Sequence, residues 1–293
     1  MPGPGDYLLT HVGFSKDEKP ILLVNHNQQV IPLTPLESEF TIKFDTSVRY
    51  CRGWYDIEKG EDYPCPDSAE VDQKYDQCPA CQNRTGFNPA FYHAVSVSKQ
   101  QEQRNLQPHV LYLAWFGKDV VKVGISYAAR GNGRLLEQGA RSALVLDTFP
   151  SAHIARQYEA QIAALPNIVE TVQLRKKIEL LAHKPDTDEA EKELLAARTR
   201  IEERLTVTFT RNDPLHLDKT YFPAGMPDLS DSFDCSPHYM ISGTMTGALG
   251  SLFFCRQQDT PLFLPMKKYV GYRFTLTHEV TPIDPPARQI SLF

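Results

Sequence analysis

The sequence predicts an α+β fold, on three observations. Short apolar or alternating runs at both ends read as strands, a central stretch reads as strand–strand–helix–strand–helix, and four cysteines gather in a segment with little periodicity of its own. With 293 residues and 41% hydrophobic content, the chain can bury more than one core. No apolar run approaches the roughly 20 residues that span a bilayer. The start, Met1-Pro2-Gly3-Pro4-Gly5-Asp6, lacks the basic and apolar regions of a signal peptide. The expectation is a cytoplasmic protein with no membrane partner. Its net charge of −5 argues against broad phosphate neutralisation along a duplex, so a nucleic-acid site has to be a local patch.

Five segments follow in order. Residues 1–50 are a β-rich N-terminal segment: Tyr7-Leu8-Leu9, Pro20-Ile21-Leu22-Leu23-Val24 and Phe40-Thr41-Ile42-Lys43-Phe44, punctuated by Asn25-His26-Asn27 and by Pro32 and Pro35. Residues 51–105 hold the cysteines. Residues 106–166 carry a predicted hairpin, Val110 to Phe116 and Val120 to Ile125, a helix around Arg134-Leu135-Leu136-Glu137, a third strand at Ala143-Leu144-Val145-Leu146, and a helix capped by Ser151. Residues 167–206, charged and broken near Pro185-Asp186-Thr187-Asp188, read as a helical hairpin serving as a solvated support or docking surface. Residues 207–293 return to short β-runs at Val207-Thr208-Phe209, Gly250 to Phe254 and Tyr272 to Leu276. The two ends share a loose pattern of short strands that could pair into one β-domain.

Cys51, Cys65, Cys78 and Cys81 are the candidate metal ligands. In a reducing compartment clustered cysteines bind metal more often than they form disulfides. Four thiolates suit tetrahedral Zn²⁺, and a Cys-x-x-Cys knuckle gives two ligands the right bite. Pro66 and Pro79 favour turns that aim sulfur inward. A closed shell of four leaves no open position, so the zinc is expected to be structural. The bland reading is four buried free thiols with His93 as a spectator. From Cys51 to Cys81 there are eight Asp or Glu against three Lys or Arg, a surface that repels phosphate.

The central stretch supplies the candidate chemistry. Leu111-Tyr112 closes the first strand motif, Lys122-Val123-Gly124 sits in the second, Arg134 is on the next helix and Glu159 on the later one. These residues, in a β-β-α-β-α order, resemble the GIY-YIG nuclease superfamily. With the flanking cysteines and the run 134–140 (Arg-Leu-Leu-Glu-Gln-Gly-Ala), the whole chain resembles the DUF2797 family. The superfamily resemblance implies a hydrolase in which Tyr112 helps activate water, Glu159 holds Mg²⁺ or Mn²⁺, and Arg134 stabilises the phosphate. Lys122 stands where a second Tyr is usual and is expected to lower a neighbouring phenol's pKa; Gly124 is expected to let backbone and substrate approach closely. Arg130 is the alternative to Arg134. Taken one by one, Tyr112 can simply pack in a strand, and Arg156 with Glu159 can be an i,i+3 surface pair.

Weaker signals are Cys235, His238 and Cys255 as a second metal site, Asp228, Asp231 and Asp234 as turn residues, and Gly243, Gly247 and Gly250 in β-turns. Three functions remain open: a divalent-metal-dependent phosphodiesterase acting on nucleic acid, an enzyme of the same scaffold acting on a small anionic substrate, and a non-catalytic nucleic-acid-binding protein. Six Lys or Arg against four Asp or Glu between Leu106 and Pro166 suit one phosphate better than a long duplex footprint.

Overall fold

A computed structural model describes residues 5–34, 39–87, 97–184 and 186–283. His93, weighed beside the cysteines, and Pro35 and Pro185, read as breakers, lie outside the described residues.

Strands β1 (Gly5–Phe14), β2 (Pro20–His26), β3 (Gln29–Leu33) and β4 (Glu39–Asp45) open the chain. Asn27 and Gln28 hold φ of 50° and 60°, so the β2–β3 link is a tight primed turn that suits the twist of a hairpin. The cysteine segment contributes β5 (Trp54–Asp56), β6 (Glu61–Tyr63), α1 (Pro79–Thr85) and α2 (Lys99–Asn105). At the centre come β7 (His109–Gly117), β8 (Val120–Tyr127), α3 (Gly133–Gln138), β9 (Ser142–Phe149) and α4 (Ala152–Ala163), the order expected for these residues. Ser151 caps α4 by accepting the Ile154 N–H. The remainder holds β10 (Ile168–Val169), α5 (Leu174–Glu179), α6 (Thr187–Leu205), β11 (Leu215–His216), α7 (Asp218–Tyr221), β12 (Phe233–Asp234), β13 (Met240–Leu249), β14 (Leu252–Gln257), β15 (Thr260–Pro265) and β16 (Arg273–Thr277).

Two large sheets organise these elements. One runs β12-β15-β14-β13-β4-β16-β1-β2-β3, the other β10-β8-β7-β9-β11, and β5 pairs with β6 apart from both. Strand β16 lies between β4 and β1, so the two ends of the chain share one sheet. The middle strand β7 of the smaller sheet is buried on both faces, alternating as a strand must. Leu111, Leu113 and Trp115 face Ile162 of α4 and Ala190, Leu194, Ala197 and Ile201 of α6. Tyr112, Ala114 and Phe116 face Leu135 and Leu136 of α3 and, beyond them, Leu249, Leu252, Phe254 and Phe263 of the larger sheet. Helix α3 is therefore sandwiched where the two sheets meet. Its C-terminal carbonyls are gathered by the Tyr221 hydroxyl of α7, which donates to the Ala140 carbonyl at 2.8 Å.

The structure corrects three expectations. The segment read as a solvated helical hairpin instead straddles the smaller sheet: α6 buries its Ala190/Leu194/Ala197/Ile201 stripe on one face, while Ile178, Leu180 and Leu181 pack into the core on the other. A four-residue apolar stripe inside a charged run is enough to bury a helix, and the overall polarity conceals it. Val207-Thr208-Phe209 is not a strand; Glu202 of α6 accepts the Phe209 N–H and Arg198 donates to its carbonyl, so side chains take the place of a ladder. Gly243 and Gly247 lie inside β13 rather than in turns. A Cβ on Gly243 would sit 2.5 Å from the Arg256 carbonyl oxygen, and one on Gly247 would sit 2.4 Å from that of Tyr221. Among the described residues no helix is long and apolar enough to cross a membrane.

Candidate metal centre and anion site

The four cysteines converge. Cys51, Cys65, Cys78 and Cys81 are all buried, and their sulfurs lie within 4.8 Å of one another. Metal–thiolate bonds of about 2.3 Å set tetrahedral sulfur–sulfur edges of about 3.8 Å, and Cys65 and Cys78 stand 4.0 Å apart. Cys78 begins α1 with Pro79 in the first turn, which carries Cys81 back onto the same centre. Cys51 Sγ accepts the backbone N–H groups of Gly53 at 3.4 Å and Cys78 at 3.2 Å, the bonds that hold a thiolate. Gly53 is obligatory: its φ is +91° and a Cβ would lie 2.0 Å from the Tyr63 carbonyl oxygen. Burial pushes the Cys51 thiol up, and burial together with the charge of Cys51 pushes Cys81 up. Four thiols this close ionise together only around a cation.

Tyr112, Lys122 and Arg134 gather on the β7 face that looks toward α3, and the charge of Glu159 on α4 acts on the first two. Tyr112 pairs across the ladder with Gly124, and Ala114 with Lys122, so Tyr112 and Lys122 share that face. The Lys122 ammonium lies 5.9 Å from the Tyr112 ring centroid. Gln138 of α3 donates to the Tyr112 hydroxyl at 2.9 Å. Burial raises the Tyr112 pKa, and Arg134 acts against it as the strongest opposing charge. Burial brings Lys122 down to about 8, with Glu159 pulling it up and Arg134 pressing it down. Phenol, ammonium, guanidinium and carboxylate thus act on one another across a single region. Beside Tyr112 and Arg134 opens a cavity of about 270 Å³, also lined by Ser126, Asn132, Val145 and Arg211.

Three of the residue-level expectations need restating. Lys122 does not depress the phenol, because burial dominates there and Tyr112 is held protonated. Gly124 does not open a path for substrate: a Cβ on it would lie 2.5 Å from the Tyr112 hydroxyl, so the room it leaves is filled by that ring. Arg130 pairs with Glu137 and stays outside the cluster. Glu159 forms the i,i+3 ion pair with Arg156 that its spacing offered; Arg156 is partly exposed and also reaches Glu170 at 3.5 Å, while Glu159 itself is 6% exposed.

A family described as "Protein of unknown function (DUF2797)" matches residues 60–274. The chain belongs to the DUF2797 family. No curated protein and no solved structure matches it. The matched stretch of the DUF2797 chain contains Tyr112, Lys122, Arg134, Glu159 and three of the four cysteines, while Cys51 precedes it.

Two lysines that the sequence did not single out act on these groups. Lys177 of α5 donates to the Gln138 carbonyl oxygen at 2.6 Å and lies 5.2 Å from the Phe116 ring centroid. Burial brings it down to about 8, and the charges acting on it are Lys267, Lys122 and Arg134. Lys267 is exposed, on the turn after β15. Nothing in the local pattern marks either one: Lys177 stands in the run Arg175-Lys176-Lys177, which reads as a solvated face.

Among the described residues the four cysteines are the group of three or more His, Cys, Asp or Glu side chains placed to hold an ion. The second metal site considered at Cys235, His238 and Cys255 is not formed. Both thiols pack in the core of the larger sheet, burial pushes Cys235 up to about 12, and the His238 ring sits against Phe233 at 5.7 Å. Asp228 and Asp234 accept backbone N–H groups two residues on, as turn residues do.

Proposed function

We propose that the DUF2797 chain is a GIY-YIG-like phosphodiesterase acting on nucleic acid through Tyr112, Lys122, Arg134 and Glu159, with a structural Zn²⁺ on its four cysteines. The observation that carries this reading is a phenol and a guanidinium lining one cavity, with a lysine brought down to about 8 lying 5.9 Å from the phenol ring. Arg134 offsets charge developing on a phosphate, the largest single service such a site can render. Tyr112, kept protonated and already accepting from Gln138, has its own O–H available to donate to a phosphate oxygen. Lys122, brought down to about 8, is matched to taking a proton from attacking water at neutral pH. This assigns proton transfer to Lys122 rather than to the phenol.

The donor set fits a resident Mg²⁺ or Mn²⁺ less well. Glu159 offers one carboxylate, already paired with Arg156 and acted on by Lys122. Were a divalent ion held there, Glu159 would be its protein ligand, and it would supply charge neutralisation at a substrate phosphate.

The test is cleavage of labelled DNA and RNA, single-stranded and duplex, with Mg²⁺ or Mn²⁺ supplied. Arg134→Ala and Lys122→Met should each lower the rate by about 10²–10³, and Glu159→Ala should lower it too, all with unchanged circular dichroism. Cleavage that survives Arg134→Ala and Glu159→Ala rejects the reading.

The size of the cavity favours a second reading. At about 270 Å³ it lies just below the usual range for small-molecule pockets, which suits one small anionic substrate. Salt separates the two: binding through several phosphates weakens steeply between about 50 and 200 mM salt, whereas a small anion in a closed pocket responds weakly.

A further inference from the structure

The strand pairing lays out the floor of the cavity beside Tyr112 row by row. Val110 of β7 stands between Ser126 of β8 and Thr148 of β9, and in the next row Tyr112 stands between Gly124 and Val145. Residues two apart on a strand share a face, so both rows belong to one surface. Lys122 is a row further on, opposite Ala114, and is not part of the cavity wall.

Two guanidiniums reach this cavity from elements far apart in the chain. Arg134 comes from α3, and Arg211 from the segment between α6 and β11. The Arg211 backbone N–H donates to the Leu146 carbonyl at 3.3 Å, which ties its segment alongside β9. Its guanidinium stands 3.5 Å from the Thr148 hydroxyl, the outer limit of a hydrogen bond. Arg130, Arg141, Arg156 and Arg198 each meet a carboxylate. Among the described residues neither Arg134 nor Arg211 does, and no carboxylate lines the cavity. Two carboxylates bond to residues of its wall: Asp147 accepts the Thr148 N–H at 2.7 Å, and Glu18 accepts from the Asn132 amide at 2.8 Å. The lining itself offers two guanidiniums, the hydroxyls of Tyr112, Ser126 and Thr148, and an apolar part made of Val110, Leu135 and Val145.

A guanidinium presents a planar fork of donors that matches phosphate oxygens. Two forks serve a phosphate monoester, with three terminal oxygens and about two charges near neutrality, better than a diester with two oxygens and one charge. They also serve a diester under attack, whose charge rises from one toward two.

We propose that Arg211 is the second arm of a clamp on one phosphoryl group, with Arg134 as the first and the apolar part of the cavity taking the attached nucleoside. This deepens the phosphodiesterase reading and rests on it for the use of that face, but binding without turnover measures it. The competing role for Arg211 is structural, tying its segment to β9. That tie belongs to the backbone N–H, which Arg211→Met keeps.

The experiment is calorimetric titration of the full chain with thymidine 5′-monophosphate, its methyl ester, thymidine and inorganic phosphate. The monophosphate should bind about tenfold or more tighter than its methyl ester, and tighter again than thymidine, as charge-assisted hydrogen bonds require. Arg211→Met should weaken the monophosphate by about tenfold while leaving thymidine and the melting temperature unchanged. Arg211→Lys, which keeps the charge and loses the fork, should recover part of the affinity. Monophosphate affinity unmoved by Arg211→Met, or no preference for the monophosphate over thymidine, overturns the proposal. Cleavage that needs Arg134 and is indifferent to Arg211 also overturns it, and leaves the phosphodiesterase reading standing. Arg211-dependent binding without cleavage of any nucleic acid does the reverse. Inorganic phosphate binding as tightly as the monophosphate, and equally dependent on Arg211, supports the clamp and overturns the nucleoside's place in it.

Discussion

Replacing Cys51 with serine should strip the metal from the purified chain and unfold the segment between β4 and α2. The serine hydroxyl keeps its proton near neutral pH and is a poor ligand, so the shell falls to three sulfurs and loses the thiolate that anchors two backbone N–H groups. Structural zinc contributes about 10–16 kcal/mol of apparent binding energy in small zinc modules, and that binding energy is folding energy. The regular structure of this segment is short: β5 and β6 are three residues each, α1 has seven, and among the described residues those that pack on the sulfurs are Trp54, Ala69 and Val71. Metal analysis should therefore find about one zinc per wild-type chain and almost none in Cys51→Ser, with protease cleavage appearing between Asp45 and Lys99. Chelator should reproduce the result, and faster at acid pH, where protons compete for the thiolates. A wild-type chain without metal that melts like the variant would sink the idea. Cys51 is the informative choice because it precedes the matched family stretch; a zinc site that survived its loss would have its fourth ligand elsewhere.

The cysteine centre was legible because its signal is chemical as well as local: Cys78 and Cys81 announce a bite, and proline after two of the four announces the turns. The hairpin Val110 to Ile125 and the helix begun by Ser151 were legible for a similar reason, since alternation and a cap are short-range patterns. Three things were not. That the two ends could pair into one β-domain was readable, but the place of β16 between β4 and β1 was not: it joins residues more than two hundred apart, and period-two alternation names faces, not partners. The stripe Ala190, Leu194, Ala197, Ile201 is half alanine and lies in a strongly charged helix, so average polarity outweighed spacing. Lys177 was hidden because a basic residue's sequence neighbours say which way the run faces, and here two of three face water while the third does not. Within the central site the motif order put Tyr112, Lys122, Arg134 and Glu159 forward together, and the i,i+3 spacing offered the Arg156–Glu159 ion pair as the plain alternative, but nothing local pointed to the ring that fills the space over Gly124.

That last contact yields a sharp energetic expectation. Tyr112 is 1% exposed, and its removal in Tyr112→Ala should cost about 3–5 kcal/mol, as for other large buried aromatics. Gly124→Ala places a Cβ 2.5 Å from the hydroxyl and 2.6 Å from the ring carbon that bears it, so the ring must move, at about 1–3 kcal/mol. In the background of Tyr112→Ala that ring is gone and the same methyl enters empty space. The two losses should therefore fall short of adding by roughly 1–2 kcal/mol, a coupling that denaturant titration of the four proteins can resolve. Strict additivity would mean that Gly124 serves something other than the phenol. Function follows the same logic. Tyr112→Phe keeps the ring and loses only the donor, so it should fold nearly as well as wild type while losing whatever the hydroxyl does for a bound phosphate. Gly124→Ala keeps the donor but displaces it, and should lower activity together with Tyr112→Phe even though residue 124 offers a substrate nothing but backbone.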